Sequence, residues 1–137
     1  MWWIYALLSA LFAALTAIFA KVGIKGVDTD LATAIRTVVI LILAWSIAFF
    51  RGSVSTINTL SKQNIIFLCL SGVATGLSWI FYFKALQLGK VSQVAPVDKM
   101  SVAIAIILAV VFLGEPLTMK STIGALLIIG GTFVLIF

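Results

Sequence analysis

Four charged side chains lie within, or at the edges of, long apolar stretches of the chain. They are Arg36, Lys84, Asp98 and Lys99. Charged groups in such surroundings are costly, and those that persist are usually paired or functional. We expect all four to approach the same end of the helices that carry them, which would let Asp98 pair with Arg36 or Lys84. Their summed charge is positive, so the pattern predicts a polar vestibule that attracts an anionic or zwitterionic solute, or a gate closed by an Asp98 ion pair.

Each of these charges also has a structural explanation, in which the long side chain reaches up to the lipid headgroups. That explanation is favoured for Lys84, and for Lys99 it is as good as the functional one. Arg36 and Asp98 lie further inside, so a binding or gating role is favoured for both. No acidic residue lies in the middle of a stretch, so simple proton coupling is not predicted, and Asp98 is the only candidate for it.

Aromatic and hydroxyl side chains on the third apolar stretch could complete a binding site. Trp79 and Tyr82 offer ring faces for stacking or cation–π contacts with an organic substrate, although packing against lipid is their more common role. Ser78 continues a line of hydroxyl groups with Ser71 and Thr75, which predicts that this stretch faces the interior of a bundle. The predicted substrate-binding or gating residues are Arg36, Ser78, Trp79, Tyr82, Asp98 and Lys99.

The composition excludes most other classes of protein. Of the 137 residues, 64% are hydrophobic and 9% are charged, and there is no histidine. A soluble domain could not bury so much apolar surface. The sequence has no set of metal ligands, no nucleophile with its base and no phosphate-binding glycine loop, so we expect no enzyme activity, metal or cofactor. The net charge of +5 is typical of contact with anionic lipid headgroups and not with nucleic acid, because no basic stripe lies outside the apolar stretches.

Five stretches are long enough to cross a bilayer, which needs about 17–25 apolar residues. The predicted fold is an all-α integral membrane protein, a bundle of five transmembrane helices that forms one domain over residues 1–137. An odd number of spans puts the two termini on opposite sides of the membrane. We expect helices at about residues 2–20, 31–50, 65–84, 91–113 and 121–137.

Local signals mark the ends of these helices. Asp30 or Asp28 is the predicted N-cap of the second helix. Pro96 falls in the first turns of the fourth helix, where a missing N–H costs least. The sequence Gly114-Glu115-Pro116 ends that helix, and Thr118 is the predicted cap of the fifth.

Glycines recur at the spacing of helix–helix contacts. Gly72 and Gly76 form a GxxxG pair on the third helix, and the fifth helix carries Gly124, Gly130 and Gly131. Small side chains let two backbones approach closely in lipid, so we expect these glycines to mark contacts within the bundle or between chains. The alternative is that glycine is simply common in membrane helices.

Basic residues in the short loops are nearly balanced between the two sides of the membrane. The N-terminal side has three and the other side has four, namely Arg51, Lys62 and Lys120 against Lys21, Lys25, Lys84 and Lys90. The positive-inside rule needs a clear excess, so the balance favours insertion in both orientations. Two oppositely oriented copies would form an antiparallel homodimer, an inverted-repeat arrangement that is common in transporters. The alternative is one orientation and a parallel oligomer.

The last third of the chain carries a recognisable pattern. The segments are Ser92-Gln-Val-Ala-Pro-Val-Asp-Lys-Met-Ser101, Phe112-Leu-Gly-Glu-Pro-Leu-Thr118 and Ile123-Gly-Ala-Leu-Leu-Ile-Ile-Gly-Gly131, and Tyr82-Phe-Lys-Ala-Leu-Gln-Leu-Gly89 precedes them. This pattern resembles the end of an EamA domain of the drug/metabolite transporter superfamily. With five helices the resemblance covers the whole chain. It implies a single-domain member, half of a ten-helix inverted-repeat transporter assembled as a dimer, that carries small organic metabolites.

The four-helix small multidrug resistance proteins are distant relatives of that superfamily with the same inverted-dimer logic. Their essential carboxylate on the first helix is missing here, where the chain reads Leu11-Phe-Ala-Ala-Leu-Thr16. This departure argues against proton-coupled drug antiport by their mechanism.

The sequence therefore predicts a secondary transporter for a small organic metabolite that works by alternating access as an antiparallel homodimer. The alternatives are a small dual-topology ion channel and a non-transporting partner subunit of another membrane protein. The expected partners are a small-molecule substrate, the lipid bilayer and a second copy of the chain, without nucleic acid. The expected location is the inner (plasma) membrane of a bacterium or archaeon.

Overall fold

The chain folds entirely into helices and short connections. A computed structural model describes every residue from Met1 to Phe137 and contains no strand. Helices satisfy their own backbone hydrogen bonds, which is what an apolar medium without water requires. A 3₁₀ helix, Ser53–Thr59, follows the second α-helix. The α-helices are α1 (Trp2–Gly23), α2 (Thr29–Phe50), α3 (Lys62–Leu88), α4 (Val91–Lys99), α5 (Ser101–Leu113) and α6 (Met119–Ile136).

Five helical segments are long and apolar enough to cross a membrane, which confirms the predicted count. Helices α1, α2, α3 and α6 each form one span, and α4 and α5 together form the span Val91–Leu113. The chain is thus a multi-pass integral membrane protein. Helix α3 is longer than the expected 65–84, because Lys62, Gln63 and Asn64 add a polar first turn and residues 85–88 add a last turn.

The chain divides into two compact units. One contains Met1–Phe19 and Leu88–Phe137, and the other contains Ala20–Gln87. We call them the terminal unit and the central unit. Their buried residues are few: Ala20, Ile24, Thr29, Thr33, Phe83 and Leu86 in the central unit, and Ala17, Ala103 and Thr132 in the terminal unit.

Side-chain caps fix where two of the helices begin. The Asp28 carboxylate accepts hydrogen bonds from the backbone N–H groups of Asp30 and Leu31, both at 3.0 Å. Asp28 is therefore the N-cap of α2, and Asp30 lies in the first turn, where its charge faces the positive end of the helix dipole. Thr118 caps α6 as predicted and exchanges hydrogen bonds with Ser121 in a capping box.

The fourth span is divided at Met100, which the sequence analysis did not predict. The N–H of Met100 donates to the carbonyl of Val97, three residues back, at 3.0 Å, and the carbonyl of Pro96 loses its usual partner in the helix. The buried Thr132 hydroxyl of α6 lies 3.1 Å from the Pro96 carbonyl and 2.8 Å from that of Ile128. A hydroxyl has a single proton, so Thr132 shares it between the helix break and its own helix.

We expect Thr132→Val to destabilise the terminal unit by about 1 kcal/mol, the size of a hydrogen bond between membrane helices. The matched control is Thr122→Val, because the Thr122 hydroxyl bonds only to the Thr118 carbonyl of its own helix. The measurement is the free energy of unfolding in mixed micelles for both variants. Equal losses in the two variants would show that the bond to Pro96 contributes nothing.

Candidate functional site

The central unit holds an arginine against the faces of two aromatic rings. Arg36 lies about two turns into α2. Its guanidinium carbon is 4.1 Å from the centroid of the Phe83 ring and 5.9 Å from that of Trp79. Trp79 and Phe83 are four residues apart on α3, so they share one face of that helix. We call Arg36, Trp79 and Phe83 the arginine cradle.

One nitrogen of this guanidinium is buried and has no hydrogen-bond partner. Arg36 Nη1 is the only buried side-chain polar atom of the chain in this condition. No ion pair within 4.0 Å joins the Arg36 side chain to a carboxylate, and Asp98 is paired with Lys99. Cation–π contacts contribute about 0.5–2 kcal/mol, which offsets only part of the cost of keeping this charge out of water. The cradle thus holds a cation whose hydrogen-bonding capacity is partly unused.

Threonines accompany Arg36 along the inner face of α2. Thr29 and Thr33 are buried, and the Thr33 hydroxyl donates to the Thr29 carbonyl at 2.8 Å. Thr37 repeats the pattern by donating to the Thr33 carbonyl. Such back-bonding satisfies the hydroxyl groups inside the helix itself. The sequence analysis missed this polar face, although the four-residue spacing of the threonines signals it.

The ends of α1 and α3 are tied together next to the cradle. The Gln87 side-chain amide donates to the carbonyls of Ile24, at 3.3 Å, and of Val27, at 3.0 Å. The Lys21 ammonium donates to the carbonyl of Leu86. Ile24 and Leu86 are both buried. These bonds fix the loop of residues 24–28, and with it the start of α2, against the end of α3 that carries Phe83.

The other predicted residues of α3 lie beside the cradle or away from it. The Tyr82 ring packs edge-on against Phe83 with centroids 5.6 Å apart, and it is half-buried. Ser78 is exposed, as are Ser71 and Thr75, so the single chain leaves this hydroxyl line open. Phe83 belongs to the cradle but was not among the predicted site residues. Its spacing of four from Trp79 was the available signal.

In the terminal unit, Asp98 and Lys99 lie at the end of α4, next to the break at Met100. Their side chains form an ion pair with a separation of 3.3 Å between the ammonium and a carboxylate oxygen. Pairs as exposed as this one contribute about 0–1 kcal/mol. A pairing of Asp98 with Arg36 or Lys84 would join residues of the two units and stays a prediction. Transporters often form their substrate sites at discontinuous helices, so the break at Met100 keeps Asp98 and Lys99 among the candidate binding residues.

The terminal unit also contains an open, mostly apolar groove of about 620 Å³. Residues of α5 between 102 and 110 form one wall; Glu115 and Thr118 of the link before α6 and Ser121 of its first turn also line the groove. None of the six predicted binding residues lines this groove.

The space beside the predicted contact glycines is open. A Cβ atom added to Gly72, Gly76, Gly124, Gly130 or Gly131 would meet no atom within 4 Å. No close helix approach uses these glycines within the chain. Whether they form contacts between chains stays a prediction.

Comparisons with known proteins find a transporter family and a relative described as a transporter. The model of the EamA-like transporter family matches residues 1–137. A protein of a Sinorhizobium species, described as an uncharacterized transporter in the cobO 3' region, is 46% identical over 134 residues, which are 98% of this chain and 95% of that protein. No solved structure matches the chain.

We expect Gln87→Leu to loosen the loop of residues 24–28, because the substitution removes both side-chain bonds that hold it. Hydrogen–deuterium exchange of this loop should become faster, by about fivefold for a loss of about 1 kcal/mol. Gln63→Leu, at the exposed start of α3, is the control and should leave the loop unchanged. Exchange that is equally slow in Gln87→Leu and in the wild type would contradict the role given to Gln87.

Proposed function

The chain belongs to the EamA-like transporter family, and we propose that it is a secondary transporter for a small organic metabolite that works by alternating access as an antiparallel homodimer. The observation that carries the proposal is the incomplete burial of the five spans. No more than 11% of any spanning window is buried inside the chain. A solute pathway needs walls that exclude lipid, and a second copy of the chain would supply them.

The open glycine faces support a dimer. In lipid there is no hydrophobic drive between helices, so close contact at small residues is a main source of association. On α3, Gly72 and Gly76 lie on one face with space beside them. On α6, Gly124 and Gly131 are seven residues apart and also lie on one face.

The charge balance supports the antiparallel orientation of the two copies. The loops and helix ends on the two sides carry three and four basic residues, which gives the positive-inside rule little to act on. Two oppositely inserted copies are related as the halves of an inverted repeat. Transporters built in this way bind their substrates at the interface of the repeats, near the middle of the membrane.

The relative supports the location and the class of activity. It is described as a transporter and comes from a bacterium. We place the chain in a bacterial inner membrane. Arg36, Ser78, Trp79 and Tyr82 of the central unit, with Asp98 and Lys99 of the terminal unit, are the proposed substrate-binding or gating residues.

The test is selective flux that depends on the dimer. Proteoliposomes are loaded with a defined mixture of amino acids, organic acids and nucleosides, and the loss of each compound is followed by mass spectrometry. We expect wild-type protein to release a few compounds saturably. The double variant Gly72→Leu/Gly76→Leu should lose both the chemically cross-linked dimer and the flux.

Leucine favours a helix more than glycine by nearly 1 kcal/mol, so the double variant would not fail through a weaker α3. Ala74→Leu adds an isobutyl side chain on the opposite, exposed face of α3 and should keep dimer and flux. If the wild-type protein releases the compounds no faster than protein-free liposomes do, the transport proposal is contradicted. Large ionic currents across the same membranes would identify a channel instead.

A further inference from the structure

The arginine cradle has the features of an anion-binding site. We infer that Arg36 binds an oxyanion, a carboxylate or a phosphate, and that the transported solute is therefore an organic anion. The second half of this inference rests on the proposed transport function. The first half is a statement about binding and can be tested without flux.

The stacking of Arg36 leaves its in-plane donors for a ligand. Phe83 covers the face of the guanidinium at 4.1 Å. The five N–H donors of a guanidinium point outward in its plane, in a fork that matches the two oxygens of a carboxylate or phosphate. Nη1 is among these donors, and it is buried without an acceptor. A buried donor without an acceptor loses its hydration without replacement, so an oxyanion that reaches Nη1 when the helices around it move apart recovers that cost.

No hydrogen bond of the chain joins Arg36 Nη1 to an acceptor. The hydroxyl groups of Thr33 and Thr37 donate to carbonyls of their own helix. The Asp28 carboxylate is engaged by the N–H groups at the start of α2. No acidic side chain of the protein forms an ion pair with Arg36.

The charges around the cradle favour an anionic ligand. The bonds from Gln87 and Lys21 hold the end of α1 and the following loop against the end of α3, close to Phe83. This end of the central unit has four cations and two carboxylates, which leaves it positive by two: Lys21, Lys25, Arg36 and Lys84 against Asp28 and Asp30. Such an excess attracts anions and raises their local concentration.

A lipid phosphate carries the same chemistry as a soluble anion, but its position fits less well. Arg36 lies roughly 10 Å along α2 from the first residue of the helix, at about 1.5 Å per residue. A headgroup phosphate lies at the level of the helix end and would not reach Arg36. A solute that enters between the helices could reach it. The Trp79 ring at 5.9 Å adds an apolar wall for the body of an organic anion.

The test uses benzoate and phenyl phosphate as probes and benzamide as their uncharged control. Binding to the purified wild-type protein is measured by titration calorimetry, first in a maltoside detergent without phosphate and then in phosphatidylglycerol nanodiscs. We expect at least one anion to bind saturably in both media and benzamide to bind in neither. Binding of neither anion, or equal binding of benzamide, would overturn the inference. Binding in detergent that disappears in nanodiscs would identify a lipid phosphate as the occupant and would also overturn it.

Variants assign the binding to Arg36. Arg36→Gln should weaken the affinity for the anion by about tenfold or more, because bonds to a charged group are lost. Arg36→Lys keeps the charge without the planar fork, so it should fold even if Arg36→Gln does not, and should bind with intermediate affinity. Arg51→Gln removes the exposed arginine at the other end of α2 and should bind like the wild type. If Arg51→Gln weakens the affinity for the anion as much as Arg36→Gln does, the effect comes from net charge alone, and the assignment of the site to Arg36 is contradicted.

The two proposals fail separately. If the protein carries neutral solutes but binds neither anion, the transport proposal is supported and the anion-binding proposal is contradicted. If the protein binds an anion saturably at Arg36 but shows no flux, the anion-binding proposal is supported and the transport proposal is contradicted.

Discussion

Backbone hydrogen bonding in a medium without water governs this structure. Wherever the chain leaves a regular helix within its apolar length, another group must satisfy the exposed carbonyl or N–H. At the break near Met100 that group is the hydroxyl of Thr132, which reaches the carbonyl of Pro96. Just past the end of α1 the Gln87 side chain has this role, and at the end of α3 the Lys21 ammonium has it for the carbonyl of Leu86. Three polar side chains, those of Lys21, Gln87 and Thr132, therefore act on carbonyls where a helix ends or breaks.

The same medium explains why so little of the chain is buried. Apolar side chains facing lipid lose nothing relative to the interior of the protein, so a compact hydrophobic core is not needed for folding. Only polar contacts and close backbone approach distinguish one helix arrangement from another. Within the chain these contacts are few, and the glycine faces are open. In the proposed homodimer a second copy would cover these faces.

The sequence predicted the elements better than their partners. Apolar length gave all five spans, and the cap of α6 followed from Thr118 because capping is a local interaction. The break after Lys99 was missed, since it depends on Thr132, more than thirty residues away, taking over the Pro96 carbonyl. Arg36 was recognised from its depth alone, but its stacking on Phe83 was not, because the contact depends on how α2 and α3 approach each other. The only sign of this contact in the sequence is the four-residue spacing of Trp79 and Phe83.

The account depends most on the claim that two oppositely inserted copies complete one transporter. The direct measurement is a pair of reporters fused after Phe137, one active only in the cytoplasm and the other only outside. The account predicts activity from both reporters at comparable levels of expression, because the basic residues are nearly balanced. Activity from one reporter alone would contradict it, and would leave a parallel oligomer or an oppositely oriented partner protein as the way to cover the open faces.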